Sequence, residues 1–101
     1  MPYKAVTIFA LKPSAAEEEL KRSHEAMIVF REQPGFVSYE VIRTSPNGLM
    51  VIHEWQNKAD YGKAIAEAAS RMANSGRESI VVRREVFAGE VVLSSEEVSS
   101  R

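Results

Sequence analysis

Apolar residues recur at every second position in four stretches of the chain and at helical spacing in two, and the order of these stretches sets the fold. Residues 36–42 set Val37, Tyr39 and Val41 against Phe36, Ser38, Glu40 and Ile42. After Ser45, Pro46, Asn47 and Gly48 the alternation resumes, with Met50, Ile52 and Glu54 against Leu49, Val51, His53 and Trp55. Two such runs around an Asn-Gly pair predict a β-hairpin. Ahead of it, residues 3–12 are rich in β-branched and aromatic side chains on both faces, Val6, Ile8 and Ala10 against Thr7, Phe9 and Leu11, as expected of a central strand covered twice. Residues 79–93 alternate again, Val82, Arg84 and Val86 against Val81, Arg83, Glu85 and Phe87, with Gly89 a candidate bulge.

Two helices separate the strands. Pro13 stops the first strand, and Ser14 followed by Glu17 has the spacing of a capping box, so a helix is predicted from there to about Gln33. Its apolar face would carry Ala16, Leu20, Ser23, Met27 and Phe30, with Glu17, Glu18, Lys21, Arg22 and Glu25 in water. Pro34 and Gly35 end it. Asn57 is a cap for a second, Ala-rich helix over 58–73 with Asp60 in its first turn, broken at Asn74, Ser75 and Gly76.

The order βαββαβ predicts an α+β fold, a ferredoxin-like four-stranded antiparallel sheet with both helices on one face. The other face is then bare, yet the strands are apolar on both sides. Left wet, it would be a patch larger than monomers ordinarily expose, which predicts a homodimer joined through the open sheet face, with the last strand reaching across. Residues 1–93 read as a single domain, and the polar 94–101 as a disordered tail.

Composition narrows the partners. A net charge of −1 gives no field to attract nucleic acid or an anionic membrane. The absence of cysteine removes disulfides and thiolate chemistry and fits a reducing compartment, and the apolar start is too short to span a bilayer, so a cytoplasmic location is expected. No His or carboxylate pair has the spacing of a metal site, and no glycine-rich turn precedes a helix to cradle phosphate, so neither a metal site nor a phosphate site is expected.

The run Arg31 to Glu40, REQPGFVSYE, resembles the arginine, proline, glycine and tyrosine signature of the antibiotic biosynthesis monooxygenase family, in the dimeric α+β barrel superfamily. Ile52, His53, Glu54 and Trp55 followed by Ala59, Asp60 and Tyr61 resemble its strand-to-helix signature. The resemblance covers nearly the whole chain in order and length. It implies oxygenases that act on aromatic or quinol substrates without metal or organic cofactor, alongside haem-degrading members and members of no known activity. Two departures bear on this. Ala64 stands where many enzymatic members carry a histidine or tryptophan, and with only His24 and His53 the chain lacks the later histidine of the haem-degrading branch.

Candidate chemistry centres on the hairpin and the first helix. A two-residue turn at Asn47 and Gly48 or a four-residue turn from Ser45 to Gly48 puts Ser38, Glu40, His53 and Trp55 on one side, with Glu40 opposite or diagonal to His53. A carboxylate there would raise the imidazole pKa and orient it as a general base; the competing reading is a cross-strand polar pair in a dimer interface. His24, near the buried edge of the first helix, and Arg31, two turns on, could hold an anionic oxygen, or lie at the rim and reach solvent. Trp55 and Tyr39 could stack on a flat ligand with Met27 as an adaptable wall, though packing would explain all three. Tyr61 would plug the sheet end, and Arg83, Arg84 and Glu85 would form ion pairs. The enzyme reading therefore names His53, His24 and Glu40 as catalytic and Arg31, Trp55, Tyr39 and Met27 as substrate-binding. The alternative is a non-catalytic dimer that binds a small ligand or serves as structure, with a small or closed pocket.

Overall fold

The computed structural model describes residues 1–72 and 80–95. Six elements follow the predicted order: β1 (Tyr3–Leu11), α1 (Ala16–Arg31), β2 (Phe36–Ser45), β3 (Gly48–Trp55), α2 (Lys58–Arg71) and β4 (Val81–Glu90). The antiparallel sheet runs β2-β3-β1-β4, so β1 is central as its two-faced apolar pattern requires. The proposed helix break at Asn74, Ser75 and Gly76 and the tail from 96 onward lie outside the described residues.

Alternation sorts the sheet into two faces. Tyr3, Ala5, Phe9 and Leu11 of β1 and Leu49, Val51, His53 and Trp55 of β3 are buried beneath the helices. One cluster gathers Phe9, Leu11, Leu49 and Val51 against Ala15, Ala16 and Ile80; a second gathers Tyr3, Phe30, Trp55 and Ala64. Tyr39 packs against both. Burying large aromatic and aliphatic side chains in this way contributes about 1.5–3 kcal/mol each and fixes both helices on the same face.

The local details differ from the sequence-based expectation in several places. No capping box forms. Ser14 has φ 66, and the Ala15 N–H donates to the Lys12 carbonyl at 3.0 Å, so Pro13 and Ser14 form a turn and Ala15 becomes the N-cap, without a side-chain bond. A Ser committed to the turn's left-handed position cannot also take the extended conformation an N-cap needs. α1 ends at Arg31, and the Glu32 and Gln33 N–H groups donate to Val29 and Phe30 carbonyls in a tightened last turn. Its buried face carries Ala16, Glu19, Ser23, Ala26, Val29 and Phe30, rotated from the expected one, so Leu20 is exposed and Glu19 is buried.

Gly89 pairs regularly with Lys4; the irregularity in β4 falls at its other end, where Leu11 meets Val81. β4 stops at Glu90 rather than running to Leu93, followed by one more bond from the Val91 N–H to the Pro2 carbonyl. Asn57 does cap α2, accepting from the Asp60 N–H at 2.9 Å. Arg83 and Glu85 pair along β4 at 3.3 Å.

The hairpin holds the main correction. Its tip is Pro46 and Asn47, with Ser45 opposite Gly48. The register then slips by one residue, and from Arg43 opposite Leu49 onward the pairing brings Tyr39 opposite His53 and Glu40 opposite Ile52. Because side chains alternate, a one-residue slip moves a whole strand segment to the other face. Glu40 and His53 therefore lie on opposite faces and form no pair.

Candidate functional site

His53 sits at the centre of the helix-covered face. Trp55, two residues along the same strand and on the same face, donates its indole Nε1–H to His53 Nδ1 at 2.7 Å. An indole nitrogen can only donate, so Nδ1 carries no proton and the neutral ring holds its proton on Nε2. Aromatic rings surround the imidazole: Phe30 at 4.9 Å, Tyr39 and Tyr61 both stacked at 5.8 Å, and Trp55 edge-on at 6.0 Å between centroids. Burial among these rings pushes the His53 pKa down to about 4, the reverse of the rise a carboxylate neighbour would have produced. The imidazole is neutral at pH 7.

Beside this cluster, a cleft of about 160 Å³ opens between α1 and β2, lined by Leu20, Ser23, His24, Met27, Tyr39 and Val41. The spacing of Leu20, His24 and Met27 puts them along one edge of α1, and the exposed His24 stands at the rim. Tyr39 joins cleft to interior, since its ring also packs on Phe30 at 5.6 Å. Under the helix, Ser23 Oγ donates to Glu19 Oε2 at 3.1 Å, and both residues are almost fully buried.

Of the residues singled out from sequence, the cleft unites His24, Met27 and Tyr39. Trp55 has no exposed surface and faces no ligand space; its partners are His53, Phe30 and Phe36. Arg31 is exposed on the last turn of α1 and does not line the cleft. Glu40 is exposed, beside Ile52 on the open face. Ala64 is fully buried against Tyr3, Phe30 and Trp55, so a small side chain lets α2 close directly onto the aromatic cluster. Tyr61 packs against Tyr3 with ring centroids 5.0 Å apart and the rings tilted at 41°, and burial, then the neighbouring Tyr3, raises its pKa. Sequence reasoning missed Glu19. The positions 16, 19, 23, 26 and 30 keep an alternating three-and-four spacing that includes it, and this was the signal available.

A four-stranded antiparallel sheet covered on one face by two helices is the ferredoxin-like α+β class. The family model for antibiotic biosynthesis monooxygenase matches residues 2–75, and the chain belongs to that family. The fold is similar to that of SnoaB, a cofactor-independent oxygenase from Streptomyces nogalater, with 19% identity over 92% of this chain and 95% of that one and a TM-score of 0.77. It is also similar to Rv0793 from Mycobacterium tuberculosis, at 13% identity, 94% and 99% coverage and a TM-score of 0.79. A third is NE2512 from Nitrosomonas europaea, a protein of unknown function, at 9% identity, 92% and 91% coverage and a TM-score of 0.77. At these identities the likeness establishes the fold alone. No curated protein matches the chain. Among the described residues, no helix is long and apolar enough to cross a membrane.

Proposed function

We propose that this protein is a cofactor-independent oxygenase acting on a small aromatic or quinol substrate bound in the cleft between α1 and β2. The observation that carries this reading is the convergence of His24, Tyr39 and Met27 on one cleft in a chain of this family. A cavity near 150 Å³ accommodates a single benzene ring, and the cleft, at about 160 Å³, is of that size. His24 at the rim takes the phenolic proton; the resulting phenolate is electron-rich enough to meet oxygen at a ring carbon. One oxygen atom remains on that carbon as the new carbonyl, the other leaves as water, and the electrons come from the substrate, which is converted from phenol to quinone.

His53 has a different part in this scheme. Its Nδ1 lone pair is held by Trp55 and its pKa is about 4, so it is a poor proton acceptor at neutral pH. It backs the Tyr39 ring, stacked at an interplanar angle of 16°, and so acts as a positioning residue for the cleft wall. The test is oxygen uptake with monocyclic phenols and hydroquinones. His24→Ala is expected to lower the rate by about 10²–10⁴-fold, the usual worth of a general base. Equal rates for wild type and His24→Ala would remove the assignment.

The burial of Trp55 and Ala64, which closes the core beside α2, favours a second reading: a dimer that binds a small ligand without turning it over. It predicts ring binding in the cleft with no oxygen consumption above background. In both readings a second copy covers the open sheet face, where Val6, Ile8, Met50 and Ile52 are only half-buried and Ile42 and Phe87 are exposed.

A further inference from the structure

The buried pair beneath the cleft says which hydroxyl chemistry the site accepts. A serine within a helix ordinarily gives its proton to the carbonyl four residues earlier. Ser23 instead donates to the carboxylate of Glu19, four residues earlier, at 3.1 Å, with Glu19 0% and Ser23 1% exposed. A hydroxyl has one proton to give. Once that proton is committed to Glu19, Ser23 Oγ has only lone pairs to offer another partner. Ser23 is also part of the cleft wall, with His24 adjacent in sequence and Tyr39 across from it.

We infer that Ser23, polarised by Glu19, makes the cleft selective for ligands that present a hydroxyl donor, the phenol or hydroquinone form, over ethers and quinones of the same ring. The inference rests on the cleft being the ligand site proposed above and adds the substrate's protonation and redox form. Glu19 acts as a positioning residue, through Ser23 and without touching the ligand. A phenol would deliver its hydroxyl to Ser23, and its conversion to the quinone by the oxygen step above, with water as the second product, would remove that donor and weaken the product's hold. The same wall that selects the substrate would then help to release the product.

Phenol, anisole and benzaldehyde separate the possibilities, because they share a ring and differ in having a donor, a masked oxygen or a carbonyl acceptor. Binding to the full chain would be followed by the chemical shifts of Ser23, His24 and Val41 amides. The wild type is expected to bind phenol about three- to tenfold more tightly than anisole or benzaldehyde, the ratio that one hydrogen bond supports. Ser23→Ala should bring the phenol preference close to unity. Glu19→Gln supplies an amide that can donate to Ser23, which frees the serine proton to point at the ligand, so benzaldehyde binding should strengthen while phenol binding weakens. Amide spectra of each variant check that it is folded, and Ser23→Ala carries the test alone if Glu19→Gln is not. Equal affinity of the three ligands for wild type, or an unchanged preference in folded Ser23→Ala, overturns the selectivity and leaves the cleft as the site. Failure of all three to shift these amides overturns the cleft reading as well.

Discussion

The Trp55 indole N–H meets His53 Nδ1 at 2.7 Å, and this bond, between residues two apart on one strand, fixes the protonation of a buried imidazole. The sign of its pH dependence follows from the His53 pKa, lowered from 6.5 to about 4 by burial. Between those values the unfolded chain binds a proton that the folded one refuses, so stability rises with pH across that window. The full contribution is present above pH 6.5, is lost progressively as pH falls towards 4, and levels off below. Roughly 3 kcal/mol is at stake, the interval between the two values at 1.36 kcal/mol per unit. Urea unfolding at pH 7 and pH 4.5 should show a larger loss for wild type than for His53→Phe. An equal loss in both would place the acid sensitivity elsewhere. Trp55→Phe keeps the ring and removes the donor, and histidine NMR shifts should then show a mixture of the two imidazole tautomers.

Gly35 occupies the corner between α1 and β2 with φ 81, a conformation glycine adopts without strain. A Cβ added there would collide with the Asp60 carboxylate in the first turn of α2, while the Gly35 carbonyl accepts from the Gln56 N–H at 2.9 Å. Corner and helix start are thus locked together, and Gly35→Ala must both strain the backbone and displace Asp60. A loss of roughly 1–3 kcal/mol is expected, read as a lower urea midpoint at unchanged slope. A neutral Gly35→Ala would show that α2 can shift freely against this corner.

Caps offer a sharper contrast, because two polar residues ahead of helices look alike in sequence and only one of them caps. Asn57 accepts the Asp60 N–H, whereas Ser14, at φ 66, makes no cap bond. Asn57→Ala should cost about 1 kcal/mol. Ser14→Gly should be neutral or mildly stabilising, since glycine takes that backbone conformation more readily. Thermal unfolding of the two variants decides it; a Ser14→Gly loss as large as that of Asn57→Ala would restore the capping box.

These cases show why the fold was legible in the sequence and the site only partly so. Element order, the central place of β1 and the Asn57 cap follow from alternation, helical spacing and turn residues, which act locally and repeat many times. Tyr39, His24 and Met27 meet at one cleft for the same reason: each lies on a face that periodicity defines. The Glu40 and His53 pair failed on a single step, the slip between Arg43 and Ser45, which reverses every side chain beyond it. Pattern constrains a strand to one of two parities but does not locate an extra residue, because Thr44 is compatible with either side of an exposed hairpin end. Of the two readings of Trp55, packing describes its place and ligand stacking does not, and the sequence could not separate them because its burial depends on Phe30, Phe36 and Ala64 arriving from three separate elements.

The slip has a consequence on the opposite face, where the expected partner copy would sit. It turns Ile42 and Glu40 towards Met50 and Ile52, and β1 brings Val6 and Ile8 against the same pair, with Phe87 of β4 beside Val6. Ion pairing stays near the rim of this apolar strip, Lys4 with Glu54 at 3.4 Å. Ile52 is at its middle, only half-buried in one copy, and a second sheet laid across it would desolvate it fully. A charge there is tolerable in water and costly between two sheets, so Ile52→Glu is expected to leave the monomer folded by circular dichroism while weakening self-association by two orders of magnitude or more, about 3 kcal/mol for a buried unpaired carboxylate. Light scattering across a micromolar dilution series measures it. Dimers that persist unchanged in Ile52→Glu would mean that the copies meet through another surface, and a wild type that is monomeric throughout would mean that this strip remains in water.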